Sequence, residues 1–469
     1  MLNTRFWSKA GFWIVLFFVV RLYGITLPPL EVAHNWRQTT VTMVARNFME
    51  TDANIFYPRI DFAGDKSGIT GMEFPLLNYL IYLVSLVFGY DHWYGRLINL
   101  VVSSLGTWYF YLLVKKYFHR RVAFPATLIL LSSLWFAYSR KIMPDTFSIS
   151  LILMGIYAGS NYLDRNASWR TLAGSFILLM LGTLSKLPSA CLIGVFLPLL
   201  MSRQTELKRR IIVVVIISLA MIPSVIWYFI WVPHLVETYG FWHFFMGKSM
   251  AQGLSEIIQL WEPSLKNFYE HSLKFIGFGV FLTGLFFAFR RKEWKIVWVF
   301  MVVFIPFLVI LLKAGQTFAH HSYYMLPFVP VMALVAGYAL SLIGKQWITT
   351  LLLAGIVMEG LLNQMHDFRV KDKEMPVVAL ESVLDRVSMS SDLILINSGD
   401  YPTPMYFAHR KGWISSNEHI SNEGYREELI SKGLKYIVIL KRTFGSDIAL
   451  PEEIVFTDEN YTIYRVGTH

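Results

Sequence analysis

Apolar runs of about 18–20 residues recur along this chain from Gly11 to about Leu362, with short charged stretches between them, and this repetition leaves few folds open. Such a run crosses a bilayer as a helix, because a helix satisfies every backbone N–H and C=O within its own segment. Of the 469 residues, 55% are hydrophobic and only 16% are charged, against about 25% charged in a soluble domain. A soluble globular protein, a disordered chain and a disulfide scaffold are excluded. The number of runs also excludes a single-anchor receptor. The lone cysteine, Cys191, lies inside an apolar run and supports neither a disulfide framework nor a thiolate metal cluster.

The formal charge of +10, from 42 Lys+Arg against 32 Asp+Glu, follows from topology. Basic residues of a membrane protein gather in cytoplasmic loops, so the excess does not call for a nucleic-acid partner. Arg5 and Lys9 precede a first apolar run at residues 12–25 that lacks a small-residue cleavage site, so it reads as a retained span with a cytoplasmic amino terminus. The later basic clusters are Lys115, Lys116, His119, Arg120 and Arg121; Arg165 and Arg170; Arg203, Lys208, Arg209 and Arg210; Arg290, Arg291, Lys292 and Lys295; and Lys345. Placing all of them inside makes the segment at residues 74–88, bounded by Pro75 and Gly89, interfacial or re-entrant. About eleven spans remain, at residues 10–27, 95–114, 121–138, 147–163, 171–185, 187–201, 211–231, 273–289, 296–312, 326–343 and 347–363.

In this arrangement the inner loops are short and basic, and the outer loops hold nearly all the His, Asp, Glu and Trp able to do chemistry. From about Val370 the composition becomes that of a soluble domain. We expect strands at 393–397 and 436–440, helices at 404–410 and 424–432, and a hairpin at 454–466. The chain thus divides into a membrane module, 1–369, whose first outer loop covers about 26–94, and a small extracytoplasmic α/β domain, 370–469. No P-loop or GxGxxG follows the first tail strand, so the Gly399-Asp400 turn reads as structural.

The densest set of reactive side chains lies in the first outer loop: Glu31, His34, Trp36, Arg37 and Gln38, then Arg59, Asp61 and Glu73. Residues 39–49 have helical character. His34, Arg37 and Gln38 then sit near a helix amino end, where free N–H groups favour an anion and Arg37 adds a bidentate cation. The bland alternative is an amphipathic interfacial helix with solvated charges. A second outer loop carries Arg140, Lys141 and Asp145. Asp145 follows Pro144 in the first turn of the next span, so it serves either as a helix-dipole partner or, beside Arg140, as a base. Lys186 interrupts two apolar runs in a hinge too short to be a solvated loop. It is either a functional cation or a lysine snorkelling to the interface. His321, Tyr323 and Tyr324 precede a span and also suit an aromatic belt. No His-x-x-x-His spacing beside them supports a structural metal.

One chemistry uses this mixture: sugar transfer from a lipid-linked phosphate at an external membrane surface. Arg and Lys stabilise the leaving phosphate, a carboxylate takes the acceptor proton, and aromatics pack sugar and lipid. Such a donor requires no nucleotide fold, cofactor or divalent metal.

The strings His34-Asn35-Trp36-Arg37-Gln38, Ala45-Arg46-Asn47-Phe48, Tyr57-Pro58-Arg59-Ile60-Asp61, Glu73-Phe74-Pro75-Leu76, Met143-Pro144-Asp145, Ser185-Lys186-Leu187-Pro188 and His321 with Tyr323-Tyr324 occur in a telling order relative to the spans. In this the chain resembles, over residues 10–345, the GT-C superfamily of polyprenyl-phosphate-sugar-dependent glycosyltransferases. The resemblance is to the bacterial relatives of protein O-mannosyltransferases and of the lipid A aminoarabinose transferase, glycosyltransferase families 39 and 83. It implies a polytopic α-helical membrane protein with juxtamembrane helices in the first outer loop and a soluble domain after the last span. It also implies an inverting, multi-pass enzyme of the inner membrane, working at the periplasmic face on a lipid, glycan or protein acceptor.

Better-known members of that superfamily carry an acidic pair where this chain has Arg37-Gln38. Glu31 and Asp145 therefore lead as base, with Asp61 and Glu73 behind them, and His34 as an acid/base or orienting group. Arg37, Arg59, Arg140 and Lys186 form the expected phosphate-binding set, and His321 and Tyr324 line a sugar or lipid-phosphate pocket. The competing readings are a transporter or flippase of lipid-linked sugars, which calls for repeats and a charged midplane path, and a scaffold with dispensable first-loop charges.

Overall fold

The computed structural model describes residues 9–164, 168–202, 205–241, 247–445 and 448–467. The basic residues Arg5, Arg165 and Arg203 lie outside the described residues. Two compact units emerge from the chain's own contacts.

The first unit comprises Met1–Ile25, Arg96–Tyr228 and Phe245–His366. A helix occupies each apolar run expected to span: Ala10–Val20, Tyr94–Phe118, Arg120–Ser132, Pro144–Leu163, Trp169–Ser185, Leu187–Val195 with Phe196–Leu200, Leu207–Ile226, Lys274–Arg290, Trp294–Ala314, Val329–Ser341 and Gln346–Gln364. Leu187–Val195 is a 3-10 helix. By length and composition, four described helices suffice to cross a membrane: Tyr94–Phe118, Leu207–Tyr239, Trp294–Ala314 and Gln346–Phe368. The pair Trp261–Ser272 and Lys274–Arg290 does so only together, across a 95° bend.

Small residues bring these helices close, as membrane helices require in the absence of a hydrophobic driving force between them. A Cβ on Gly337 would lie 2.6 Å from Ala126 Cβ, and one on Gly106 would collide with Ser150. The 20-residue helix Pro144–Leu163 is about 30 Å long. Asp145 stands at its amino end. Just beyond its carboxyl end Asp164 pairs with Lys116 at 2.5 Å. Asp164 lines a cavity of about 580 Å³ together with Tyr117, Ser202 and Lys295, so the ends beside four of the basic clusters meet there.

The second unit comprises Thr26–Gly95, Phe229–Phe244 and Asp367–His469. Its sheet contains β1 (Leu393–Ile396), β2 (Gly412–Ile414), β3 (Leu434–Leu440), β4 (Glu453–Thr457) and β5 (Tyr461–Arg465) in the order β2-β1-β3-β5-β4. β1 runs parallel to β2 and β3, and β5 runs antiparallel to β3 and β4. The central strand β3 is buried at six of seven positions, as a strand covered on both faces must be. The sequence-based reading has no β2, a three-residue strand opened by Gly412. A Cβ there would collide with the Ile394 carbonyl of β1. The helices Thr403–Ala408 and Glu423–Ser431 stand where helices at 404–410 and 424–432 were expected.

The first-loop helix Asn35–Glu50 belongs to this unit. Its Met43, Val44 and Phe48 share one core with Leu380, Ile394, Met405, Tyr406 and Ile463. The 13-residue helix Leu76–Phe88 follows, in the place read as interfacial. It is tied to its neighbour by Asn78 Nδ2, which donates to the Val41 carbonyl at 2.9 Å.

Candidate active site residues

In the membrane unit the turn before the Pro144–Leu163 helix is organised by a residue that sequence reading passed over. Asn99, fully buried in the Tyr94–Phe118 helix, donates to the carbonyls of Lys141 at 2.7 Å and of Tyr138 and Met143 at 3.3 Å. Its Oδ1 meets the Thr146 hydroxyl at 3.2 Å. An amide inside an apolar run was the available signal. By holding three loop carbonyls it fixes where the next helix begins, and so where Asp145 stands.

Asp145 is buried, and its Oδ1 lies 3.7 Å from Lys186 Nζ. The second carboxylate oxygen, Oδ2, is buried and makes no hydrogen bond. Lys186 breaks the helix Trp169–Ser185 because its backbone is extended, at φ −160°, and the 3-10 segment begins directly after it. Its ammonium sits 5.6 Å from the Tyr323 ring centre. His321 stacks on Tyr323 at 5.3 Å, and Tyr323 on Tyr324 at 4.8 Å. Asp145, Lys186, His321 and Tyr324 thus belong to one cluster, with Tyr323 at its centre.

Arg140 also binds backbone carbonyls. Its Nη1 donates to the carbonyls of Arg21, at 3.0 Å, and Tyr23, and its Nη2 to that of Gly24 at 3.1 Å. Those carbonyls follow the end of the Ala10–Val20 helix, where unsatisfied acceptors and the helix dipole favour a cation. Lys186 is a cation close to Asp145, 3.7 Å from its Oδ1.

In the second unit Glu31 is fully buried, and its backbone bridges antiparallel to Val370. Ala33 and His34 both take left-handed backbone conformations, each at φ 62°, directly before the Asn35–Glu50 helix. Two successive non-glycine residues in that region mark stored strain, which proteins hold mostly at functional segments. Arg37 Nη2 pairs with Glu73 Oε1 at 2.7 Å, both side chains nearly buried. Arg59 pairs with Asp52 at 3.1 Å and is the more exposed arginine. These two members of the expected phosphate set thus answer to different carboxylates.

Asp61 is held by Arg46 Nη2 at 2.9 Å and Asn47 Nδ2 at 2.7 Å. Arg46 also donates to the Tyr406 carbonyl at 3.0 Å and stacks on that ring at 4.8 Å. Burial alone would lower the Arg46 pKa, but Asp61 together with Tyr90, Tyr406 and Glu50 outweighs it and the net shift is upward. Asp61 therefore ties the first loop to the tail domain. Among the described residues, no three His, Cys, Asp or Glu side chains gather to hold a metal.

Residues 72–227, which include Asp145 and Lys186, match the family model described as dolichyl-phosphate-mannose-protein mannosyltransferase. No curated protein sequence matches the chain. Its fold is similar to that of ArnT from Cupriavidus metallidurans in a crystal structure bound to undecaprenyl phosphate, with a TM-score of 0.60 at 13% identity over 97% of this chain and 98% of the other. The oligosaccharyltransferase of Archaeoglobus fulgidus, in complex with Zn and sulfate, aligns with a TM-score of 0.59 at 14% identity over 91% and 67% of the two chains. The same archaeon's AglB, in complex with an inhibitory peptide and a dolichol-phosphate, aligns at 0.56 and 13% identity over 92% and 69%. The chain thus shares the fold of these solved membrane proteins, and residues 72–227 carry the match to the mannosyltransferase family model.

Proposed function

We propose that this protein transfers a sugar, with inversion, from a polyprenyl-phosphate donor to an acceptor at the extracytoplasmic face of the inner membrane. One observation carries the reading. A buried carboxylate, Asp145, has one oxygen against a lysine and the other without a hydrogen-bond partner. In low dielectric an ion pair of this kind orients both groups, and an ionisable pair inside a membrane unit is a functional site by default.

The chemistry follows from the two side chains. The acceptor hydroxyl forms a bond to the anomeric carbon and gives its proton to Asp145 Oδ2. The bond from that carbon to the phosphate oxygen breaks with both electrons leaving on the phosphate, whose added charge Lys186 stabilises. Tyr323, Tyr324 and His321 supply the aromatic wall. The solved relatives' complexes with undecaprenyl phosphate and dolichol-phosphate support a lipid-phosphate donor here.

Glu31 is the second candidate base, favoured by its complete burial and by the strained Ala33-His34 turn that follows it. The test is sugar release from a panel of polyprenyl-phosphate sugars by the purified protein in lipid, with nucleotide sugars as controls. Loss in Asp145→Asn alone assigns the base to Asp145, and loss in Glu31→Gln alone assigns it to Glu31. Wild-type release from both removes a carboxylate base. Movement of donor lipid between leaflets without release makes the protein a flippase.

A further inference from the structure

The second unit contains a cavity of about 310 Å³, at the lower end of the size range of small-molecule sites. It opens beside the amino end of the Asn35–Glu50 helix, and its lining includes Asn35, Glu374, Tyr401, Thr403, Pro404 and Phe444. The walls are braced. Thr403 Oγ1 lies 3.1 Å from Thr39 Oγ1, and the Thr443 hydroxyl donates to the Lys373 carbonyl at 3.0 Å.

Asn35 is only 5% exposed, and its Nδ2 donates to Glu374 Oε2 at 2.7 Å. A carboxylate only accepts, so that bond fixes which end of the amide faces Glu374. The amide oxygen, Oδ1, is buried and has no hydrogen-bond partner. A buried acceptor left unmade costs free energy, which a ligand donor would recover.

Asn35 Oδ1 and Glu374 therefore ask for donors, and the walls offer the rings of Tyr401 and Phe444. Lys373 lines the same cavity, so a cationic ligand is disfavoured. A neutral ring bearing O–H or N–H donors on its rim and C–H groups on its faces meets each of these conditions.

We infer that this cavity is a subsite for a single neutral sugar ring, with Asn35 and Glu374 accepting from its hydroxyl or amide groups and Tyr401 and Phe444 packing against its faces. The inference rests on the transferase reading for its biological sense, and deepens it by assigning sugar recognition to residues far along the chain from Asp145 and Lys186. The sugar comes either from the lipid donor or from a glycan acceptor.

The test uses the full-length protein in lipid nanodiscs and saturation-transfer NMR with methyl α-mannoside, methyl β-glucoside and N-acetylglucosamine, glycerol serving as control. We expect transfer to at least one glycoside, reduced at least tenfold by Glu374→Ala and by Phe444→Ala at an unchanged melting temperature. If either variant melts early, Tyr401→Ala replaces it, since Tyr401 is 40% exposed. No transfer to any glycoside, or equal transfer in wild type and variants, overturns the subsite.

Sugar release from the lipid donor is followed in the same preparations. A raised donor KM in Glu374→Ala assigns the subsite to the donor sugar. An unchanged donor KM with glycoside binding lost assigns it to the acceptor. Glycoside binding that persists in a protein releasing no sugar from any donor leaves the subsite standing and overturns the transferase reading instead.

Discussion

Lys186 Nζ stands 3.7 Å from Asp145 Oδ1 although 41 residues separate them, because each occupies a helix boundary. Lys186 ends one helix, and Asp145 lies in the first turn of another. The two helices, Trp169–Ser185 and Pro144–Leu163, pack along their lengths, with Gly182 and Gly155 each admitting a side chain of the other helix. The ion pair thus results from the packing of apolar faces that contain no charge.

Replacing Lys186 with Met keeps the aliphatic stem and removes the charge. It should raise the KM for a lipid-phosphate donor about tenfold, near 1.4 kcal/mol, and also slow turnover of bound donor, because the phosphate's added charge loses its partner. Kinetics over a donor titration check this. An unchanged KM contradicts the role given to Lys186.

Breaking the Arg46–Asp61 pair from one side strands a buried charge, at a cost of about 3–5 kcal/mol. Asp61→Ala should therefore lower the unfolding temperature of the second unit sharply. Arg59→Ala, whose partner Asp52 is substantially exposed, should change it little. Thermal unfolding followed by tryptophan fluorescence compares the two, and equal effects would refute the structural role of Asp61.

His409 lies between two carboxylates, with Nε2 2.9 Å from Glu50 and Nδ1 2.5 Å from Glu381. The bond to Glu50 raises its pKa above the ordinary 6.5, against the opposing effect of burial. The folded state therefore holds this proton more tightly than the unfolded state. The stabilisation is fully present below about pH 6.5 and is lost as the pH rises through the folded value. Glu50 shifts downward: burial opposes that shift, and its bond to His409 together with the charges of His409, Arg46 and Lys411 outweighs burial. Its contribution is present above about pH 4.5 and lost as the pH falls through its own lowered value. Hydrogen exchange of the Thr403–Ala408 helix should speed up between pH 6.5 and 9 in wild type. In His409→Gln it should show no such dependence beyond the intrinsic rate.

Gly337→Leu should lower the yield of folded protein, because even a Cβ there would lie 2.6 Å from Ala126 Cβ on the facing helix. Gly279→Leu, at a glycine with open space around it, should be tolerated. Size-exclusion profiles in mild detergent distinguish the two, and similar profiles would mean that the Arg120–Ser132 and Val329–Ser341 helices can separate at little cost.

Sequence alone determined the helical membrane architecture, the short first-loop helix at 76–88 and the α/β character of the tail. These follow from local quantities, namely run length, hydrophobic period, turn residues and the sign of loop charges. It also singled out Lys186 and Asp145, since an ionisable residue at the edge of an apolar run is visible without neighbours. Only the tertiary structure decided the partners: Lys186 on Asp145, Arg140 on the carbonyls of Arg21, Tyr23 and Gly24, and Asp61 on Arg46. β2 and the cavity beside Asn35 likewise had no readable local pattern, and for Asn99 only its presence in an apolar run, not its partners, was legible. A side chain's role there depends on which distant carbonyl, carboxylate or strand edge packing brings within about 3 Å, and hydrogen bonds and ion pairs are short-ranged where hydrophobic patterning is not.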